Sequence, residues 1–241
     1  MENSSQYRQD DVRRNIEDIR RKIDKAAASS GRKSEEIALM AVTKTVPPEL
    51  INTAIGEGIT LIGENKVQEL ESKRGLLHLE NTSVHLIGRL QTNKVKKAVG
   101  MADMIQSLDS VKLAEEISLR SIQSGMVKDV LIEINIGNEE SKSGIDIHEI
   151  DEFLEKISQL DGISVKGLMT IPPFDCEISE TRRYFQEIHN LFVDIRAKNQ
   201  HNTIEMLYLS MGMSSDFEIA IEEGSNIVRI GSSIFGKRIY S

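Results

Sequence analysis

Lys44 stands at the end of an almost wholly apolar run, Ala41-Val42-Thr43-Lys44-Thr45, shortly before Pro47-Pro48. A lysine held against an apolar surface is poorly solvated as a cation, so its amine is more easily neutral and nucleophilic. The neutral amine is the form that condenses with an aldehyde to a Schiff base. Many strands end in a charge, so position alone equally allows a lysine that snorkels into water. Near the other end of the chain, Arg229-Ile230-Gly231-Ser232-Ser233 combines a fixed cation, backbone N–H groups at a glycine and two hydroxyls. Those are the donors that hold a phosphate. Ser210 and Ser214, in Ser210-Met211-Gly212-Met213-Ser214, add hydroxyls to the same region. A plain serine-rich turn is the competing reading.

Other segments carry weaker chemistry. Residues 231–237 match most of a Gly-x4-Gly-Lys phosphate loop, but Arg238 stands where the metal-binding hydroxyl is required. Such a loop must also open a helix, and the sequence stops first. Lys94, Lys96 and Lys97 are the best candidates for an RNA contact. No aromatics interleave with them, so a solvated helix start is the simpler reading. Residues 141–144, Ser-Lys-Ser-Gly, suit either a mobile rim loop or a further anion contact. The histidines at 78, 85, 148, 189 and 201 lack the paired spacing of metal ligands, so no metal is expected. Cys176, after Pro172-Pro173, reads as an incidental loop thiol.

The elements that position these residues follow from hydrophobic periodicity. Val12, Ile16, Ile19, Ile23 and Ala27 recur at steps of three or four and predict a helix over 8–30, with Gly31 as its stop. Short apolar runs at 37–43, 60–62, 83–87, 104–107, 130–136, 164–169, 206–209 and 226–230 predict strands. Amphipathic stretches lie between them, clearest at 111–123, 148–160, 179–198 and 215–223, the last with Ser215 and Glu218 in capping-box spacing. Strands that alternate with helices imply a parallel sheet with crossover connections. An open doubly wound sheet gives the same alternation. Eight strands in 241 residues favour a single (β/α)8 TIM-type barrel with an extra N-terminal helix (residues 1–31), one domain over 1–241. That helix would lie on the outside of the barrel or across one end. In such a barrel the unusual polar residues collect where strands end: Lys44, Asn65, His85, Ser107, Asp109, Asn135, Ser210 and Gly231 all fall there.

Composition narrows the function classes. The net charge of −8 disfavours a general nucleic-acid binder, and six Phe, four Tyr and no Trp offer little for base stacking. No run approaches the roughly 18 apolar residues of a membrane helix. The first fourteen residues are polar and charged, without a secretory signal, and a single cysteine excludes an internal disulfide. These features favour the cytoplasm.

Seven motifs in order now carry a resemblance. Ala-Val-Thr-Lys44-Thr, Gly63-Glu-Asn65-x-Val-Gln-Glu69, His85-Leu-Ile-Gly88-x-Leu-Gln-x-Asn-Lys94 and Asn135-Ile-x5-Ser-Lys-Ser-Gly144 are four of them. Gly167-Leu-Met169, Leu209-Ser-Met-Gly-Met-Ser214 and Val228-Arg-Ile-Gly231 complete the set. Together they closely resemble the pyridoxal phosphate homeostasis proteins, single-barrel relatives of the N-terminal domain of alanine racemases. The resemblance implies pyridoxal 5′-phosphate (PLP) as cofactor, held as a Schiff base on Lys44. It implies that Arg229 faces the pyridine nitrogen, that Gly231 and Ser232 form part of a phosphate cup, and that Ser210 lies near the phosphate. Asn65 and His85 would line the cofactor pocket. An arginine only donates, so the ring nitrogen would stay unprotonated and the ring a weak electron sink. The racemases also use a tyrosine from a C-terminal β domain, which this sequence does not carry. The expected role is therefore vitamin B6 homeostasis by a monomer that contacts PLP-dependent apo-enzymes, with indirect effects on amino-acid and keto-acid pools. The alternatives are a PLP-dependent racemase or lyase, a cofactor-free Schiff-base aldolase, and an RNA-contacting protein.

Overall fold

The computed structural model of the chain describes residues 2–137, 139, 143–173, 176–198 and 201–236. Eight parallel strands pair in chain order: β1 (Ala38–Val42), β2 (Leu61–Glu64), β3 (Ser83–Leu86), β4 (Met104–Leu108), β5 (Lys128–Ile134), β6 (Ile163–Thr170), β7 (Ile204–Ser210) and β8 (Ile227–Ile230). β8 pairs back onto β1, with Ala38 opposite Ile227 and Met40 opposite Arg229, so the sheet closes into the expected TIM-type barrel. Helices α1 (Glu2–Ser29), α2 (Pro48–Gly56), α3 (Val67–Lys73), α4 (Val95–Met101), α5 (Val111–Gln123), α6 (Ile150–Ile157), α7 (Ile178–Lys198), α8 (Phe217–Glu222) and α9 (Ser232–Phe235) surround it. Among the described residues no helix is long and apolar enough to cross a membrane.

Alternation along each strand sorts side chains between two cores. Outward-facing Ile105, Val130, Ile132, Ile134, Val165 and Leu168 join the helices in the main apolar cluster. Inward-facing residues form two small clusters inside the barrel, Met40, Leu61 and Ile227 on one side, and Met104, Leu131 and Met169 on the other. The barrel is therefore filled, not open. Register shifts interrupt the β4–β5, β5–β6 and β6–β7 ladders. At the last of these, Gly167 has φ +147° and a Cβ there would meet the Tyr208 carbonyl oxygen at 1.8 Å, so only glycine fits.

The stripe predicted on α1 is buried, and the helix lies on the outside of the barrel. Val12, Ile16, Ile19, Ile23 and Ala27 pack with Leu50 and Ile51 of α2, Phe217 and Ile221 of α8 and Ile234 of α9. α1 thus covers the seam where the last strand meets the first. Each large aliphatic side chain buried this way contributes about 2 kcal/mol. Asn15 Nδ2 donates to Ile234 C=O at 2.9 Å, and Arg32 Nη1 donates to Ser225 C=O at 2.7 Å, adding polar ties across the same seam.

Two local expectations are corrected. The capping box of Ser215 and Glu218 does not form. α8 begins one residue later with Asp216 at its N-cap, and Asp216 Oδ1 instead accepts the Met213 N–H at 2.6 Å, closing the β7–α8 loop on itself. Residues 232–235 are helical directly after Gly231, where the sequence suggests a loop. Lys237, Arg238, Ser141 and Lys142 lie outside the described residues.

Candidate functional site

The polar side chains of the barrel interior sit at the carboxyl ends of the strands, one inward step beyond the apolar clusters. Arg229 on β8 is 3% exposed. Its Nη1 donates to Ser210 C=O at 2.7 Å and to Ser210 Oγ at 2.8 Å, and its Nη2 donates to Thr170 C=O at 2.8 Å. Ser210 Oγ in turn donates to Gln106 Oε1 at 2.8 Å, and Gln106 Nε2 meets His85 Nδ1 at 2.8 Å. A continuous chain of hydrogen bonds therefore spans the lumen from β8 through β7 and β4 to β3.

Arginine has no acceptor, so this chain has a fixed direction. Arg229 gives its protons to Ser210 Oγ, the serine proton goes to Gln106 Oε1, and the glutamine N–H goes to His85 Nδ1. His85 is left as the neutral tautomer with its proton on Nε2. Burial agrees with that state, for it pushes the His85 pKa down to about 4. Burial also lowers Arg229, to about 10, and Glu133 and Asp216 oppose the shift, so the guanidinium remains charged at neutral pH. Glu133, the inward residue of β5 above Leu131, is pushed up to about 7 by burial and then by Asp109, against the pull of Arg229 and Arg89.

Lys44 follows β1 at the mouth. A cavity of about 250 Å3 brings it together with Val42, Thr45, Gly231 and Ser232. Ser232 Oγ and Ser214 Oγ are 3.1 Å apart, and the Ser233 N–H points to Ser214 Oγ at 3.4 Å. In α9 the Ile234 and Phe235 N–H groups already go to the Gly231 carbonyl at 3.0 and 2.9 Å, so the Ser232 and Ser233 N–H groups are the helix-start donors next to the cavity. Pro47 and Pro48 begin α2 as expected, and turn the chain away just beyond Lys44.

Beneath the Lys44 turn lies a buried ionic cluster that the sequence reading did not single out. Glu64 is 1% exposed and Lys73 12%. Lys73 Nζ donates to Thr43 C=O at 2.9 Å, Glu64 Oε1 at 2.9 Å and Glu69 Oε1 at 2.5 Å. Glu69 Oε1 also accepts the Thr45 N–H at 2.5 Å. Glu64 takes Thr43 Oγ1 at 3.0 Å and the Asn65 N–H at 3.1 Å. Burial raises the Glu64 pKa, and Lys73 opposes it. Thr45 has φ +62°, the only positive value at a non-glycine among the described residues.

The sequence-predicted residues fall into three groups. Lys44, Gly231 and Ser232 share one cavity. His85, Ser210 and Arg229 belong to the buried chain below it, where the Ser210 hydroxyl is fully engaged and Ser214 is the serine that reaches Ser232. Asn65 lines a neighbouring groove of about 890 Å3 with Arg89, Lys94 and Asp109, and its Oδ1 is buried without a partner. Gly88 lets the chain just beyond β3 approach it, since a Cβ at Gly88 would meet the Asn65 carbonyl oxygen at 2.3 Å. Gln106, Glu133 and the Lys73 cluster were missed. For Gln106 and Glu133 the available signal was a polar residue at inward spacing within an apolar strand, and for Glu69 and Lys73 it was their spacing of four on α3.

The family model "Alanine racemase, N-terminal domain" matches residues 9–238. A pyridoxal phosphate homeostasis protein of Aquifex aeolicus is 43% identical over 91% of this chain and 95% of its own length. The protein of the same name from Escherichia coli K12 is 36% identical over 96% of this chain and 98% of its own. Among solved structures, PipY of Synechococcus elongatus with PLP bound is 32% identical with a TM-score of 0.78, covering 89% of this chain and all of that one.

Proposed function

This chain belongs to the pyridoxal phosphate homeostasis protein family, within the alanine racemase N-terminal domain fold, and from that premise we propose that it binds PLP through Lys44 and serves intracellular vitamin B6 homeostasis. The observation that carries the reading is the meeting of Lys44 with Gly231 and Ser232 in one cavity.

The residues present fit the cofactor. Arg229 uses three of its five N–H donors among the described residues, which leaves two for a ring nitrogen. Asn65 Oδ1 is a buried acceptor without a partner. The Ser232 and Ser214 hydroxyls and the α9 N–H groups suit a phosphate. When bound, PLP supplies an aldehyde carbon that condenses reversibly with a primary amine. Lys44 provides that amine and Arg229 holds a proton against the ring nitrogen. Ser210 holds Arg229 through its carbonyl and hydroxyl oxygens, and His85 presents an Nε2–H.

The role is carriage without turnover. A guanidinium that stays charged at neutral pH leaves the ring nitrogen unprotonated and gives little support to a carbanion. The relatives are named as homeostasis proteins, which agrees with a carrier. The reading extends to a monomeric, one-domain protein of the cytoplasm that hands PLP to apo-enzymes. Its charge of −8 argues against nucleic acid as a partner.

The test is a visible spectrum after PLP is added and the protein desalted. Wild type should keep an absorbance band that Lys44→Ala loses, and borohydride should fix the chromophore to Lys44. A colourless wild type would sink the reading. The racemase alternative is tested separately by following one enantiomer of an amino acid over long incubation. No inversion is expected.

A further inference from the structure

The geometry points to a second device at the mouth: Lys73, with Glu69 and Glu64, is a latch that fixes the backbone on both sides of Lys44, and so positions its amine. The inference rests on the reading of Lys44 as the attachment point.

Lys44 lies between two peptide groups that the cluster holds. On one side Lys73 Nζ takes the Thr43 carbonyl at 2.9 Å, and on the other Glu69 Oε1 takes the Thr45 N–H at 2.5 Å. The two holds are coupled, because Lys73 Nζ also donates to Glu69 Oε1 at 2.5 Å. Thr45 is a β-branched residue at φ +62°, a conformation such residues rarely adopt and leave when released. Its return to negative φ would turn the peptide that follows Lys44 and re-aim the side chain. Glu64 extends the latch to β2, since it binds both Thr43 Oγ1 and the Asn65 N–H.

The sequence supplies the parts at suitable spacing. Glu69 and Lys73 are one helical turn apart on α3, so they share a face. Glu64 ends the strand just before that helix. With Glu64 1% and Lys73 12% exposed, little water competes for the bond between them, while the Glu69–Thr45 arm lies at the exposed edge of the cluster.

The test uses the full chain with Glu69→Leu, Lys73→Met, Thr45→Gly and the Glu69→Leu/Thr45→Gly pair. In ligand-free protein, Thr45 amide exchange read by NMR should be about tenfold faster in Glu69→Leu and Lys73→Met, with β5 and β6 amides unchanged. With PLP added, the visible band should form about tenfold more slowly in Glu69→Leu, and adding Thr45→Gly should restore most of that rate, because glycine takes positive φ unaided. A rate that Thr45→Gly leaves slow, or a Thr45 amide as protected in Lys73→Met as in wild type, would overturn the latch. Where Glu69→Leu does not fold, Lys73→Met and its pair with Thr45→Gly carry the same two readouts. A wild type that gives no band refutes the attachment at Lys44. The latch is then judged by exchange alone, supported by faster Thr45 exchange and overturned by unchanged exchange.

Discussion

Inside the barrel, hydrocarbon gives way to a hydrogen-bonded polar layer within two residues along the same strands. Met104, Leu131 and Ile227 belong to the apolar clusters of the lumen, and the next inward positions on those strands are Gln106, Glu133 and Arg229. The lower layer holds by shape and exclusion of water, so its members are exchangeable within a volume limit. The upper layer holds by direction, because each donor needs its own acceptor, and one substitution leaves several groups unmet. A closed barrel lets the two coexist: the lower layer makes the interior dry, and dryness sharpens the charges above it.

The harshest way to break this contrast is to put a charge in the lower layer. Leu131→Lys should cost about 4 kcal/mol or more, because a lysine there has no partner and no water. Chemical denaturation would show it, and a variant as stable as wild type would mean the lumen is wetter than its lining indicates. The converse exchange, Arg229→Met, should cost less, about 2–3 kcal/mol, since it leaves Ser210 and the Thr170 carbonyl without a donor. It should also abolish most PLP retention in a protein that still folds, which separates the two layers by function.

Two titrations in the upper layer should oppose each other. His85 has its pKa lowered from 6.5 to about 4, so the unfolded chain binds the extra proton and stability is lost as pH falls through that window. Glu133 has its pKa raised from 4.5 to about 7, so the folded chain binds the extra proton and stability is lost as pH rises. Between pH 5 and 6.5 the two slopes offset. Glu133→Gln should therefore expose a stability that rises with pH, and His85→Asn one that falls, by about 1–2 kcal/mol each over that range. Equal slopes in both variants would contradict the assigned burial. The mildest change is Ser210→Ala, about 1 kcal/mol. Its sharper mark is in the 15N spectrum of His85, where loss of the fixed direction should mix the two neutral tautomers.

The same contrast explains what the sequence made legible. Strand periodicity located all eight strands to within two residues, and the α1 stripe identified its buried face, because both patterns are local. Lys44 and Gly231 were also visible, as residue types out of place at strand ends. Gln106 and Glu133 were not, since an isolated polar residue in a strand carries no mark of which neighbour it meets across the lumen. Glu64 sits in the sequence between Gly63 and the rim residue Asn65, yet it faces Lys73 and is almost fully buried. The Ser215–Glu218 spacing is a true local signal that loses to Asp216, which takes the N-cap position and whose carboxylate closes the preceding loop.

The seam beneath α1 has a consequence in time. The stripe from Val12 to Ala27 packs on α2, α8 and α9, and the last two of these lie after residue 216. At roughly 5–20 residues per second of synthesis, the ribosome needs on the order of ten to forty seconds to deliver them. The first helix of the described chain is therefore the last to find its full surface. For that interval its isoleucines are exposed beside an unclosed sheet, and a chaperone that shields amphipathic helices would act at this end of the nascent chain.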